Sequence, residues 1–112
     1  MSSNNIALTL RLPVELNQQL TKVAKTLGFT KTNLIRLAIH DYLDSENLED
    51  LESILSEYND TKYRMVLNVN AITLDILNKQ SEKYNMSINK LLVYAAKKSL
   101  LHYSRLIKKL EL

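Results

Sequence analysis

The sequence predicts a mainly helical fold that carries one short two-stranded antiparallel β-ribbon. Three observations predict it. Residues 6–12 alternate, with Ile6, Leu8, Leu10 and Leu12 on one side and Ala7, Thr9 and Arg11 on the other, the period of a strand with one buried and one open face. The alternation returns at residues 63–69, where Met65, Leu67 and Val69 interleave with Arg64, Val66 and Asn68. Much of the rest has helical spacing, and 112 residues contain a single Gly and a single Pro, too few for a fold rich in tight turns.

The first strand cannot stand alone in water, so it requires the second as a partner. Pro13 ends it and pre-sets the first turn of a helix, where a missing N–H costs nothing. That helix places Leu16, Leu20, Val23, Ala24 and Leu27 on one stripe and stops at Gly28, suited to a left-handed C′ position. Thr30 is the expected N-cap of a second helix, with Asn33 reaching back. Its Leu34, Ile35, Leu37, Ala38, Ile39 and Leu43 make it apolar over a wide arc, as befits a helix crossing the core. Between 44 and 60, Leu48, Leu51, Leu55 and Tyr58 share a helical face with Ile54 beside them. This predicts a short amphipathic connecting helix rather than a tether.

From Tyr63 the pattern starts again. Shifted by 57 positions (67 minus 10), Leu10 falls on Leu67, Leu20 on Leu77, Gly28 on Asn85, Thr30 on Ser87, Leu34 on Leu91 and Ala38 on Ala95. Matched caps in two strand–helix–turn–helix blocks mark an internal repeat. It yields four segments: a first unit at 6–43, an acidic helical connector at 44–62, a second unit at 63–100 and a C-terminal helical extension at 101–112. The likeness fails at Pro13/Asn70, Leu16/Thr73, Val23/Gln80 and Ala24/Ser81. That failure predicts a rotated first helix in the second unit, with Ile72 and Ile76 taking core positions.

Charge is segregated. Residues 1–43 carry five Lys/Arg and two acids, residues 44–60 seven acids and no base, and residues 61–112 ten Lys/Arg and three acids. Two basic blocks around an acidic joint suit units that bind a polyanion. No apolar run is long enough to span a membrane, residues 1–5 lack the features of an export signal, and there is no Cys for a disulfide or thiolate site. A cytoplasmic protein without membrane partner, metal or other cofactor is expected. No Gly-rich phosphate loop, nucleophile–base set or ligand cluster suggests an enzyme, so no catalytic residue is assigned.

Thr9-Leu10-Arg11-Leu12-Pro13, the Gly28 turn and Thr30-Lys31-Thr32-Asn33-Leu34-Ile35-Arg36 together resemble the ribbon-helix-helix (MetJ/Arc-type) superfamily of DNA-binding proteins. The resemblance covers 6–43 well and 63–100 fairly. It implies a ribbon that enters the major groove of double-stranded DNA, with outward side chains on base edges and second-helix N-termini on phosphates. Residue by residue, the base contacts implied are Ala7, Thr9, Arg11, Arg64, Val66 and Asn68. The phosphate contacts implied are Thr30, Lys31, Thr32, Ser87, Ile88 and Asn89. Val66 departs from the polar residue usual there.

With both units in one chain, the expected fold is a tandem ribbon-helix-helix, a single-chain pseudo-dimer. A connector of about twenty residues reaches ~30 Å as helix and ~66 Å extended, enough to return the second strand to the first. The implied function is a transcriptional repressor acting at an asymmetric site. The alternatives are an accessory protein of plasmid conjugation at an origin of transfer and, ranked lower, an antitoxin. Arg36 is expected in a salt bridge or at the core edge, and His40 and His102 in structural or exposed positions. The acidic connector is expected to be solvated or to oppose Arg105, Lys108 and Lys109. For the extended last helix, packing on the connector and self-association between molecules on adjacent DNA sites both stay open.

Overall fold

The computed structural model describes residues 5–110. Residues 1–4, read above as free of an export signal, and residues 111 and 112 of the expected extension lie outside them. Strand β1 (Ile6–Leu12) pairs antiparallel with β2 (Tyr63–Val69) of the same chain, from Ile6 opposite Val69 to Leu12 opposite Tyr63. Leu10, Leu12, Leu67 and Val69 are buried, and every alternate residue on the other face is exposed. The ribbon therefore has one core face and one open face, and the helices lie under the first.

Each strand leads into a 14-residue helix, α1 (Val14–Leu27) and α4 (Ala71–Tyr84). Both stop in the left-handed conformation, at Gly28 (φ 77°) and at Asn85 (φ 49°). Pro13 is the N-cap of α1 rather than its first helical residue. With φ −56° and ψ 139° it still leads the strand out, and its carbonyl accepts the first helical bond from Asn17 at 3.0 Å. Asn70 caps α4 by accepting the Thr73 N–H at 2.9 Å, a replacement for Pro13 whose capping role the repeat alone does not reveal.

Helix α4 is not rotated. Ile72 is 70% exposed and Ile76 only partly buried, while Thr73 (4%) and Gln80 (8%) occupy the core places of Leu16 and Val23. Their polar atoms are satisfied there: Thr73 Oγ1 lies 2.9 Å from His40 Nε2, and Gln80 Nε2 donates to the carbonyls of Leu43 and Ser45. Buried polar groups with partners avoid the desolvation cost that would otherwise force the helix to turn.

Helix α2 (Lys31–Ala38) runs into a π-helical turn at Ile39–Leu43. Thr30 Oγ1 caps α2 by accepting the Asn33 N–H at 3.2 Å. The Asn33 side chain does not reach back; its Oδ1 accepts from Arg36 Nη1 at 2.7 Å. Gln80 holds the Leu43 carbonyl at the end of the π-turn and that of Ser45 just beyond it. The connector contains helix only at α3 (Leu51–Ser56), shorter than expected, with Leu48, Leu51 and Ile54 buried and Leu55 and Tyr58 half-buried. It is fastened through its backbone. Tyr84 Oη accepts from the Leu48 N–H at 2.9 Å, Lys83 donates to the Glu46 carbonyl, and Tyr94 Oη donates to that of Glu49 at 2.7 Å.

The last helix, α5 (Ile88–Leu110), runs unbroken for 23 residues and buries Leu91–Ala96, Ser99 and Leu100. Beyond Leu100 it turns to α1 rather than to the connector. The Tyr103 ring meets Phe29 edge-on with centroids 6.3 Å apart, and Leu100, Ser104 and Ile107 face Gln19, Val23 and Thr26 across an open groove. The connector's acids do not pair with Arg105, Lys108 or Lys109. Among the described residues the one ion pair is Lys79–Asp75, exposed on α4. No helix of the described residues is long and apolar enough to cross a membrane.

Candidate nucleic-acid interface

The open face of the ribbon carries Ala7, Thr9 and Arg11 from β1 and Arg64, Val66 and Asn68 from β2, all exposed. The register sets Ala7 opposite Asn68, Thr9 opposite Val66, and Arg11 opposite Arg64. Alternate residues 7, 9 and 11 span about 14 Å, close to four base-pair steps of DNA.

The backbone of these positions points away from the partner strand. Arg11 shows this directly: its N–H donates to Asn89 Oδ1 at 2.8 Å, and its carbonyl accepts from Asn89 Nδ2 at 3.0 Å. Arg11 and Arg64 are therefore a non-hydrogen-bonded pair, the kind that brings opposed side chains closest. Like charges directly opposed on a sheet destabilise it, and neither guanidinium is in an ion pair among the described residues. Lys62 precedes β2 at this end, and Asp60, the nearest acid in sequence, turns aside to accept the Val14 N–H at 3.4 Å. At the other end the facing pair, Ala7 with Asn68, is uncharged.

Each strand is gripped by a helix from the opposite half. Asn89, in the first turn of α5, holds β1 at Arg11. Arg36, on α2, holds β2 by donating from Nε to the Asn68 carbonyl at 3.0 Å. Lys31 Nζ donates to Tyr63 Oη at 3.1 Å and to Asn17, and lies over the Tyr63 ring at 4.2 Å. Both helix starts are thereby brought to the flanks of the ribbon.

Of the residues expected at phosphates, Thr30 and Ser87 are N-caps whose hydroxyl oxygens accept from Asn33 and Lys90, each at 3.2 Å. The first helical bonds run from Leu34 to Thr30 and from Leu91 to Ser87. The N–H groups of Lys31, Thr32, Ile88 and Asn89 consequently have no acceptor within their own helices. The Lys31 and Asn89 side chains are committed to Tyr63 and to the Arg11 backbone, which leaves their backbone N–H groups as the donors these two residues have to offer. Ile88 has only its backbone to offer, and Thr32 Oγ1 lies 3.3 Å from Thr30 Oγ1.

No family model matches this sequence, and neither a curated protein nor a solved structure matches it. The chemistry of the face thus rests on its own residues. Arg36 is in no salt bridge among the described residues; half-buried, it ties α2 to the strand. Its role is not encoded in the repeat, because position 93 is Val. Among the described residues no three His, Asp or Glu side chains are grouped to hold a metal ion.

Proposed function

We propose that this protein binds double-stranded DNA in a sequence-specific way by laying the β1–β2 ribbon into the major groove. One observation carries the reading: an exposed, acid-free ribbon face on which Arg11 and Arg64 stand opposite each other with no protein partner. A polyanion relieves that opposition, and the major groove admits a two-stranded ribbon. Arginine pairs in a bidentate manner with guanine, Asn68 with adenine, and Thr9 and Val66 offer methyl groups to thymine. The unbonded N–H groups at the starts of α2 and α5 suit phosphate oxygens that fix the register.

In this reading the chain is a tandem ribbon-helix-helix protein acting as a single-chain pseudo-dimer. Its two ribbon ends differ, so the preferred site is asymmetric, and the simplest role is that of a repressor occupying a promoter. Capture of sheared native DNA followed by sequencing tests it, with a Thr9→Ala/Arg11→Ala variant alongside. Enrichment at promoters that the variant loses is the expected result. Enrichment at a transfer origin would assign the same contacts to plasmid conjugation. If neither protein enriched any sequence, specific DNA binding would be refuted.

A further inference from the structure

Two of the breaks in the repeat, at Asn70 and Thr73, meet at one cavity. It has a volume of about 410 Å³ and is lined by Asn5, Arg36, His40, Asn68, Asn70 and Thr73. Every lining side chain is polar and none is acidic. The positions related to Arg36, Asn70 and Thr73 by the 57-residue shift are Val93, Pro13 and Leu16, so the cavity is not a product of the repeated scaffold. The π-turn at Ile39–Leu43 is equally one-sided, since α5 is regular across the matching residues.

These departures act together. The π-turn holds His40, whose Nε2 lies 2.9 Å from the Oγ1 of buried Thr73. Thr73 is in turn fixed through its N–H by Asn70. Arg36 is aimed by two bonds, from Nε to the Asn68 carbonyl and from Nη1 to Asn33. Among the described residues its Nη2 has no acceptor and no carboxylate pairs with it. The result is a permanently charged guanidinium with a free donor edge, surrounded by amide and imidazole groups. Such a set recognises a tetrahedral oxyanion, for which guanidinium is the preferred protein partner.

We propose that this cavity holds one phosphate group. On the DNA reading, on which this choice of source rests, it is the backbone phosphate that passes the Asn68 end of the ribbon. This anchor is separate from the helix starts. With the two arginines at one end of the ribbon and the cavity at the other, it orients the chain along the duplex.

The test uses the full chain, wild type and the variants His40→Gln and Arg36→Gln, with melting temperature as the fold control. Glutamine at 40 keeps a partner for Thr73, so that variant separates the cavity's role from folding. Affinity for the captured duplex is measured against salt. Arg36→Gln, which removes a neutralising charge, is expected to make the log–log slope shallower by about one while the preferred sequence stays the same. A neutral methylphosphonate placed at each backbone position is expected to weaken wild type at one outer position and to leave His40→Gln unchanged there. An unaltered slope in Arg36→Gln, with no methylphosphonate coupled to His40, would overturn the proposal.

A second measurement stands apart from DNA: inorganic phosphate is titrated against chloride at equal ionic strength, following the His40 ring and Arg36 Nε–H signals by NMR. If the chain binds no DNA, the functional reading falls. A saturable phosphate-specific shift would then keep the cavity as a site for free phosphate, and its absence would reject the site altogether.

Discussion

Two tyrosines show how single hydroxyls tune this fold. Tyr94 is buried and donates to the Glu49 carbonyl, whereas Tyr58 Oη is buried with no partner. Tyr94→Phe should cost about 1 kcal/mol, and Tyr58→Phe should be neutral or stabilising by up to about 1 kcal/mol, because it removes an unsatisfied group. Urea denaturation at pH 7 checks both. Burial, with Glu57 and Glu15 near Tyr58 and Asp50 and Glu49 near Tyr94, pushes both hydroxyls up to about 12. The folded state thus keeps protons that the unfolded chain releases near pH 10. Their contribution is complete below about pH 10 and declines as pH rises to about 12. Repeating the denaturation between pH 9 and 12 should show the decline, and Tyr58→Phe should make it shallower. Gly28 is a different case. A Cβ there meets nothing within 4 Å, so the cost of Gly28→Ala is that of the left-handed backbone alone, about 1–2 kcal/mol.

At the scale of elements, the grip of α5 on β1 depends on one side chain. Asn89→Ala removes both bonds to the Arg11 backbone and should cost about 1–2 kcal/mol. Hydrogen exchange at the Arg11 amide should quicken more than that in the middle of α1. Both strands are legible in the sequence because a period of two has no other reading when the apolar residues are Ile, Leu, Met and Val. The six open-face residues follow from the same alternation. Helix α4 is less legible. Thr73 and Gln80 are polar in core places, and nothing local tells that His40 and the carbonyls of Leu43 and Ser45 wait for them across the interior. The π-turn is hidden for a related reason, since Ile39 and Leu43 fit an ordinary helix equally well. The cavity beside Asn68 is built from those two unread features, so it too stays out of sight. Asn89 and Lys31 carry a third kind of gap: the helix starts are plain from the sequence, but the side chains serve the neighbouring strand.

For the molecule as a whole, the decisive fact is that the ribbon closes within one chain. The radius of gyration is 13.8 Å, near the roughly 13 Å expected for one compact domain of this length, so the two halves share a body. A ribbon formed between subunits makes stability depend on protein concentration. Here the urea midpoint should stay constant over a hundredfold dilution, and a midpoint that fell on dilution would show strands exchanged between molecules. The acidic connector buries Leu48, Leu51 and Ile54 and is held through its backbone, which leaves its carboxylates outside any ion pair among the described residues. The pairing of residues more than 50 positions apart, from Leu12 with Tyr63 to Ile6 with Val69, also makes the ribbon a late event in folding, because a long loop must close before the strands gain anything from each other.

Placing both strands in one chain has a consequence for how this face can change over generations. In a symmetric dimer every substitution is inherited twice, and both ends of the surface shift together. Here Arg64 and Arg11 are separate codons at one end, and Ala7 and Asn68 separate codons at the other. A lineage can therefore rewrite one end while the other stays as it was, a stepwise path that a two-fold protein does not have.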